Sequence, residues 1–331
     1  MQHSIRNDYL SIESSNCLKG IFAIIIVICH MFGSKPFPMG FGLGTIITSF
    51  GYLSVAFFVF SSGYGLTISV IQKGNSYFKS YFRKRVLSLY LLNIILILIY
   101  ALFKLLINDA VSVVDVVESF FFGSTVVTYG WYIQFILLFY IIFYLVFKKL
   151  NIERALSFLT IITAIYCLVC FSVNKSVTWY ETSWLFPFGS LWAYRKEAID
   201  KFFASGIKKY LLSLITTFIG FAICFVFGNS GLLDNTIRIL FKMASAILFV
   251  TVVLILTMKV KINYKPITFF GKYYFEIYIV QGIFIVFFSK VIVIENMLIY
   301  YLLTFISIIV VAVLVNPVVK GINKICRGAK I

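Results

Sequence analysis

The chain is a succession of long apolar runs separated by short polar connections. Runs of about 18 or more apolar residues are long enough to cross a hydrocarbon core of roughly 30 Å as α-helices. The pattern therefore predicts about ten membrane helices. Their expected positions are 17–33, 46–70, 86–107, 130–147, 155–173, 182–194, 210–228, 237–258, 276–294 and 297–318. The sixth is short and contains Pro187 and Gly189, which predicts a broken or re-entrant segment.

The predicted fold class is an all-α polytopic membrane protein. No repeat and no stretch long enough for an appended soluble domain interrupts the apolar runs, so a single membrane domain is expected over residues 1–331. Within it, a transmembrane bundle at 17–318 is expected between polar tails at 1–16 and 319–331. Because the first 16 residues are polar, no cleaved signal peptide is predicted.

Composition agrees with this prediction, since 61% of the residues are hydrophobic and only 12% are charged. An ordinary soluble protein has about twice that share of charged residues. The bilayer is therefore the first partner that the sequence implies.

The net charge of +17 follows from where the basic residues lie. Most of the 29 Lys and Arg residues fall in alternate connections, beginning with the N-terminus. By the positive-inside rule these connections are cytoplasmic, and an even number of spans places both termini there. The basicity is thus a topology signal and not evidence for nucleic acid. A secondary role is attraction of anionic lipid or of a phosphorylated cofactor.

The first predicted helix carries two ionisable residues, Lys19 and His30. Eleven helical steps make about three turns and a rise of roughly 16 Å, so both side chains lie on nearly one face. Lys19 is expected at the membrane edge and His30 about halfway through the hydrocarbon core. An ionisable residue at that depth is expensive and functional by default. The alternative for His30 is a structural hydrogen bond between helices.

Several stretches together resemble the acyltransferase-3 family, integral membrane enzymes that move acyl groups from a cytoplasmic thioester onto carbohydrate hydroxyls. The first helix has the family's basic residue, ten residues and a histidine, and the second reads Ser-Val-Ala-Phe-Phe-Val-Phe-Ser-Ser-Gly-Tyr-Gly over 54–65. Weaker matches are the basic cluster at 83–85, Trp131, the Phe-Pro-Phe-Gly run at 186–189 and the late Gly-Lys segment at 271–281. In that last segment Gln281 stands where the family commonly has a histidine.

The resemblance implies that His30 is the catalytic base. Acyl transfer to an alcohol requires removal of the hydroxyl proton as the oxygen attacks the thioester, and imidazole titrates near neutrality. Desolvation also disfavours the charged form of a buried imidazole, which keeps it basic. The substitution at Gln281 indicates that the late histidine is not the essential base.

The resemblance further implies that the phosphates of the cofactor are bound by Lys19, Arg83, Lys84 and Arg85. Arg suits bidentate phosphate contact. The alternatives are snorkelling for Lys19 and simple anchoring of the third helix for the cluster. Ser88 stands where the family has a second Arg, and the usual nearby proline is absent. The phosphate role is therefore spread over all three residues of the cluster.

Four residues are expected to support catalysis or contact the substrate: Ser62, Tyr64, Trp131 and Glu276. Ser62 is interpreted as a hydrogen-bonding or packing residue, because a nucleophile elbow needs a strand-to-helix turn. Trp131 belongs to the interfacial aromatic belt and is a candidate for stacking on a sugar ring. Glu276 is expected to pair with Lys19, Lys272 or the cluster at 83–85.

No metal site is predicted. Cys167 and Cys170 have metal-like spacing, but no further Cys or His lies nearby in the sequence. Free cysteine commonly behaves as a small buried hydrophobe.

The expected function is a bacterial inner-membrane O-acetyltransferase. Acetyl-CoA would be the donor, no metal would be needed, and the acceptor would be a polysaccharide or a lipid-linked glycan. A transporter or flippase for a lipid-linked sugar or a small acid is the alternative, because a broken helix and one buried histidine suit that class too. Against it, the sequence has neither an internal repeat nor matching Gly/Pro-interrupted segments in two halves. Whether the chain forms a homo-oligomer stays open.

Overall fold

The computed structural model describes residues 5–37, 42–121 and 126–328. It is 82% helical, and no strand occurs in these ranges. The α-helices are α1 (Ile12–Ser34), α2 (Leu43–Lys73), α3 (Ser88–Leu106), α4 (Val113–Phe121), α5 (Trp131–Phe147), α6 (Ile152–Ser172), α7 (Leu185–Tyr194), α8 (Lys196–Ala204), α9 (Ile207–Asn229), α10 (Asn235–Thr257), α11 (Lys265–Lys272), α12 (Tyr274–Val286) and α13 (Met297–Arg327). Short 3₁₀ helices cover Gly74–Lys79 and Val177–Trp179, and π-helices cover Phe82–Leu87 and Phe287–Val291.

Eight helical stretches in the described ranges are long and apolar enough to cross a membrane. They are Ile12–Ser34, Leu43–Lys79, Phe82–Leu106, Ile152–Ser172, Ile207–Asn229, Asn235–Thr257, Tyr274–Val291 and Met297–Cys326, and Trp131–Phe147 is a shorter apolar helix. The all-α polytopic membrane fold is confirmed. The segment at 182–194 is short, as predicted, because α7 has only 10 residues and rises about 15 Å, half the thickness of the hydrocarbon core.

The first and last helices extend beyond their predicted limits. The Ser11 hydroxyl accepts a hydrogen bond from the Ser14 amide at 3.2 Å, so α1 is capped and starts at Ile12, inside the expected polar tail. Within α1, which is roughly 35 Å long, His30 lies about 6 Å from the C-terminal end. At the other terminus α13 continues through Pro317 to Arg327.

The described residues form two compact units. Unit 1 comprises Met1–Ile26, Thr45–Gly74 and Leu150–Lys272, and unit 2 comprises Val27–Gly44, Asn75–Lys149 and Tyr273–Ile331. The helix α1 contributes residues to both. That all of the chain acts as one domain stays a prediction.

Unit 1 contains a close crossing of α2 and α7 at two glycines. A Cβ placed on Gly63 would lie 2.1 Å from the Phe186 carbonyl oxygen, and one on Gly189 would lie 2.2 Å from the Phe60 carbonyl oxygen. The two backbones therefore touch where each helix lacks a side chain, as membrane helices commonly do. Gly65 has nothing within 4 Å of such a Cβ. Of the two glycines in the second-helix motif, only Gly63 serves this contact.

Unit 1 also holds a buried ion pair between Glu181 and Lys242. The carboxylate oxygen lies 3.7 Å from the ammonium nitrogen, and the Glu181 side chain is 5% exposed. Glu181 precedes α7, outside the membrane-spanning segments. Burial raises the pKa of this carboxyl above its ordinary value of 4.5, and the Lys242 charge partly opposes that shift.

Candidate active site in unit 2

The imidazole of His30 is anchored through one ring nitrogen. Its Nδ1 lies 3.1 Å from Oε1 of Gln281, a fully buried side chain on α12. The Gln281 amide nitrogen donates a hydrogen bond to the Tyr278 carbonyl at 3.2 Å, which turns the amide oxygen toward the histidine. An amide oxygen only accepts, so this orientation of Gln281 makes a hydrogen bond only with the tautomer of His30 that carries its proton on Nδ1. The second ring nitrogen, Nε2, is then unprotonated and able to act as a base.

Tyr129 covers one face of this imidazole. The two ring centroids are 3.7 Å apart and the planes differ by 1°. The Tyr129 carbonyl accepts a hydrogen bond from the Tyr278 hydroxyl, which links this tyrosine to the same helix as Gln281. The His30 side chain is partly buried and is not fully enclosed by the protein. The arrangement is a partly accessible imidazole fixed at Nδ1 and at one ring face.

Close packing brings the segment of Thr128 and Tyr129, called the Tyr129 segment below, against α12. A Cβ on Gly282 would lie 2.6 Å from the Tyr100 hydroxyl and 2.8 Å from the Thr128 Cβ, so a larger residue would push the segment away. The Tyr100 hydroxyl on α3 donates to the Ile279 carbonyl at 3.0 Å and contacts the same side of α12. Gly282 thus determines how near the Tyr129 segment comes to Gln281.

The phenol of Tyr129 does not titrate near neutrality. Burial raises the pKa of this group to about 12, because a phenolate would lose its hydration. The nearby Tyr300 phenol acts in the same direction. Tyr129 therefore offers a neutral ring face and no competing base.

The basic cluster lies on a π-helix that leads into α3. Arg83, Lys84 and Arg85 occupy Phe82–Leu87, and all three are exposed. Single-turn π-helices are rare and often mark functional sites. From Arg85 to Tyr100 the helical stretch rises about 22 Å, which is the distance along it between the cluster and the Tyr100 contact in unit 2.

Two residues near the cluster have structural partners. A Cβ on Gly328 would lie 2.8 Å from the Arg83 guanidinium, which places that cation at the C-terminal end of α13. A cation is favourable there because helix carbonyls point outward. Ser88, where the family has a second Arg, is buried and donates a hydrogen bond to Asn323. At this position a neutral hydrogen bond to α13 therefore takes the place of the family's positively charged side chain.

The remaining candidates are distributed between the two units. Lys19, Ser62 and Tyr64 belong to unit 1, whereas Trp131 and Glu276 belong to unit 2 with His30 and the cluster. The Ser62 hydroxyl donates to the Phe58 carbonyl at 3.0 Å, as in ordinary helix back-bonding, and the Tyr64 ring is stacked on Phe60 at 6.0 Å.

Two of these candidates differ from expectation in their surroundings. The buried Glu276 accepts a hydrogen bond from Asn316, an amide where a cation was expected. Trp131 begins α5 and is half-buried near Tyr132 and Phe135. The aromatic ring that covers His30 belongs to Tyr129, two residues earlier.

Sequence reasoning missed Tyr129 and the partnership of Gln281 with His30. A polar residue in an apolar run at the place of the family's late histidine was a usable signal for Gln281. Tyr129 had no comparable signal, because tyrosine is common throughout this chain. Cys167 and Cys170 pack in an apolar cluster with Tyr180, Ile239 and Met243. The described ranges contain no group of three or more His, Cys, Asp or Glu residues that could hold a metal ion.

The sequence profile of a family described as an acyltransferase domain matches residues 12–316, nearly the whole chain. The chain belongs to the acyltransferase-3 family. It is therefore a membrane acyltransferase, and His30, Gln281 and the basic cluster all fall within the matched residues. No curated protein and no solved structure matches it significantly.

Proposed function

We propose that this acyltransferase is an O-acetyltransferase of the bacterial inner membrane, with His30 as its general base. The donor is acetyl-CoA, and the acceptor is a hydroxyl of a cell-surface polysaccharide or lipid-linked glycan. The observation that carries the proposal is the half-buried imidazole of His30, whose Nδ1 is engaged by Gln281 and whose Nε2 is left for a substrate. Family membership favours the enzyme over a transporter or flippase.

In the proposed reaction, Nε2 takes the proton of the acceptor hydroxyl as its oxygen attacks the thioester carbonyl carbon. The new C–O bond forms, the C–S bond breaks, and the thiolate of CoA leaves. The imidazolium then returns its proton to that thiolate, which restores the neutral base and releases CoA as the thiol. Glycan ester and free CoA are the products, and no acyl-enzyme is required.

The surroundings of His30 suit the transient imidazolium. The Gln281 oxygen accepts the Nδ1 proton in both charge states. The face of the Tyr129 ring, 3.7 Å from the imidazole, attracts a cation through its quadrupole. Both contacts strengthen when the proton arrives, which is how a site lowers the barrier for its removal.

The exposed cations of unit 2 suit the polyanionic donor. Lys84 and Arg85 offer charge to the CoA phosphates, and Arg83 adds to the local potential although it also contacts the end of α13. An extended pantetheine arm would carry the thioester along the roughly 22 Å of α3 toward the level of Tyr100. Lys19 is retained as a further cofactor contact, and the ring faces of Tyr129 and Trp131 are candidates for stacking on the acceptor sugar.

The proposed topology, taken from the distribution of Lys and Arg, places the N-terminus and the basic cluster in the cytoplasm, where acetyl-CoA is available. In sealed, oriented vesicles, acetyl-CoA on the cytoplasmic face should support turnover. Turnover at least as fast from the opposite face would contradict the topology.

The base assignment is tested by replacing His30 in purified protein. His30→Ala should lower acetyl transfer by about 10²–10⁴-fold while the protein inserts and retains its Tm. His30→Gln should be nearly as inactive, because an amide replaces a hydrogen bond but not a base. His3→Gln, which removes the other histidine in the sequence, is the matched control. Wild-type transfer by a folded His30→Ala protein would refute the assignment.

The acceptor class is tested in cells. Proton NMR of surface glycan from strains with and without the gene should differ in O-acetyl methyl signals. Identical signals in the two strains would contradict a polysaccharide acceptor, and acetyl-CoA hydrolysis by the purified protein would still distinguish an acyltransferase from a transporter.

A further inference from the structure

We propose that Gln281 is a positioning residue that holds His30 in the tautomer protonated at Nδ1, so that Nε2 is the catalytic base. The catalytic consequence rests on the proposed function of His30. The tautomer itself follows from the contacts of unit 2 and is measurable without a substrate.

The orientation of the Gln281 amide is fixed by two contacts with opposite requirements. Its nitrogen donates to the Tyr278 carbonyl at 3.2 Å, and its oxygen faces His30 Nδ1 at 3.1 Å. Rotation of the amide by half a turn would set its oxygen against a carbonyl oxygen, and two acceptors repel. Such a rotation would also leave a donor opposite Nδ1. Only one orientation satisfies both neighbours, and it demands a proton on Nδ1.

Burial makes this demand strong. Gln281 is 0% exposed, so water does not substitute for a missing partner. An unpaired buried donor or acceptor is penalised by roughly 1–3 kcal/mol. The tautomer protonated at Nε2 would set two lone pairs against each other across 3.1 Å. The alternative tautomer is therefore disfavoured before any substrate binds.

The carbonyl that fixes the amide belongs to a residue which also holds Tyr129. Tyr278 provides the carbonyl for Gln281 and the hydroxyl for the Tyr129 backbone. One residue of α12 thus sets both the Nδ1 partner and the ring above the imidazole. Gln281 fixes which nitrogen of His30 is protonated, and Tyr129 fixes the plane of the imidazole ring. Together they define the direction in which the Nε2 lone pair points.

The experiment uses the fact that the chain has two histidines, His3 and His30. In a His3→Gln protein labelled with ¹⁵N-histidine, every imidazole signal comes from His30. The two neutral tautomers have distinct ¹⁵N shifts, and the parent protein should show a protonated Nδ1 and an unprotonated Nε2. A parent protein protonated at Nε2 would overturn the proposal.

Variants then test whether Gln281 is the cause. Gln281→Leu keeps similar bulk without an acceptor, so the Nδ1–H signal should give way to a mixture of tautomers. Gln281→Glu keeps an acceptor oxygen for Nδ1 and, as the neutral acid, a hydroxyl that donates to the Tyr278 carbonyl, so it should retain the Nδ1–H state. Tyr100→Phe, which removes a hydroxyl that contacts the Ile279 carbonyl and not the imidazole, is the control and should leave the spectrum unchanged. An unchanged Nδ1–H spectrum in folded Gln281→Leu would overturn the causal role.

Kinetics distinguish positioning from a purely structural role. Gln281→Leu should lower kcat at least about tenfold with little change in KM for acetyl-CoA, and Gln281→Glu should restore most of it. Equal kcat in Gln281→Leu and wild type would contradict positioning. Full activity of His30→Ala would instead refute the proposed function, and the tautomer result would still stand.

Discussion

The rings of His30 and Tyr129 lie parallel, with centroids 3.7 Å apart and planes that differ by 1°. Tyr129 reaches this position with a φ of 64°. The other described non-glycine residues with positive φ are Asn108 and Asn174, and Asn tolerates this conformation better than Tyr does. The hydrogen bond from Tyr278 and the stacked ring hold Tyr129 there. Strain of this kind is commonly retained at functional sites.

We predict that Tyr129→Leu lowers kcat by about tenfold, because the imidazolium loses a ring face worth about 1–2 kcal/mol. Tyr129→Phe should keep near wild-type kcat, since the stacking ring remains. Transfer rates at saturating acetyl-CoA measure both. Equal losses of kcat in Tyr129→Leu and Tyr129→Phe would show that catalysis depends on the hydroxyl and not on the ring.

The rate–pH profile should be insensitive to Tyr129. Because the pKa of its phenol is about 12, the group stays neutral at and below neutral pH. Tyr129→Phe should therefore leave the profile between about pH 5 and 9 unshifted. A shifted rate–pH profile in Tyr129→Phe would contradict the conclusion that the Tyr129 phenol stays neutral and takes no part in the titration.

The crossing of α2 and α7 gives a stability prediction with a control in the same motif. Gly63→Ala and Gly189→Ala each insert a Cβ about 2 Å from a backbone carbonyl, so the helices must separate, at a cost of about 1–3 kcal/mol. Tm in detergent should fall in both variants. Gly65→Ala, where nothing lies within 4 Å, should match or exceed wild type. A Gly63→Ala protein as stable as Gly65→Ala would contradict the crossing.

The Glu181–Lys242 pair predicts a pH-dependent stability. Lys242→Met removes the charge that offsets the burial of the carboxylate, so at about pH 8 the Tm should fall by roughly 3–6 °C. A carboxyl with a raised folded-state pKa contributes most stability at low pH and loses it as the pH rises above 4.5. The deficit of Lys242→Met should therefore shrink toward about pH 5.

The control for this pair is Glu181→Gln combined with Lys242→Met. With no carboxyl to titrate in either protein, the Tm difference between this double variant and Glu181→Gln alone should not change on acidification. A constant deficit in Lys242→Met across the same range would show that the pair is not electrostatically coupled.

The basic cluster should separate into two effects. Lys84→Gln with Arg85→Gln should raise KM for acetyl-CoA more than it lowers kcat, because it removes two exposed cations from the proposed phosphate contact. Arg83→Gln should lower Tm as well, since its guanidinium lies at the end of α13. Orientation in the membrane is checked first by cysteine accessibility. An unchanged KM in a correctly oriented double variant would leave the cluster as a helix anchor only.

The sequence by itself determined the class of this protein, an all-α membrane acyltransferase. Apolar runs had to become helices, because backbone groups in lipid must be satisfied within the segment. His30 was identifiable because an ionisable residue is rare in such a run. The limits of α1 and α13 were less predictable, since a serine cap and a tolerated proline shift them by several residues.

Only the tertiary structure decided which residues surround His30. Gln281 and Tyr129 are distant from it in the chain, and helix packing brings them to it through Gly282 and Tyr278. Hydropathy indicates which segments enter the lipid. It does not indicate which helices pack together, because any two apolar helix faces have similar hydropathy. The tautomer of His30 and the strained backbone of Tyr129 depend on contacts made after that packing, so no local pattern encodes them.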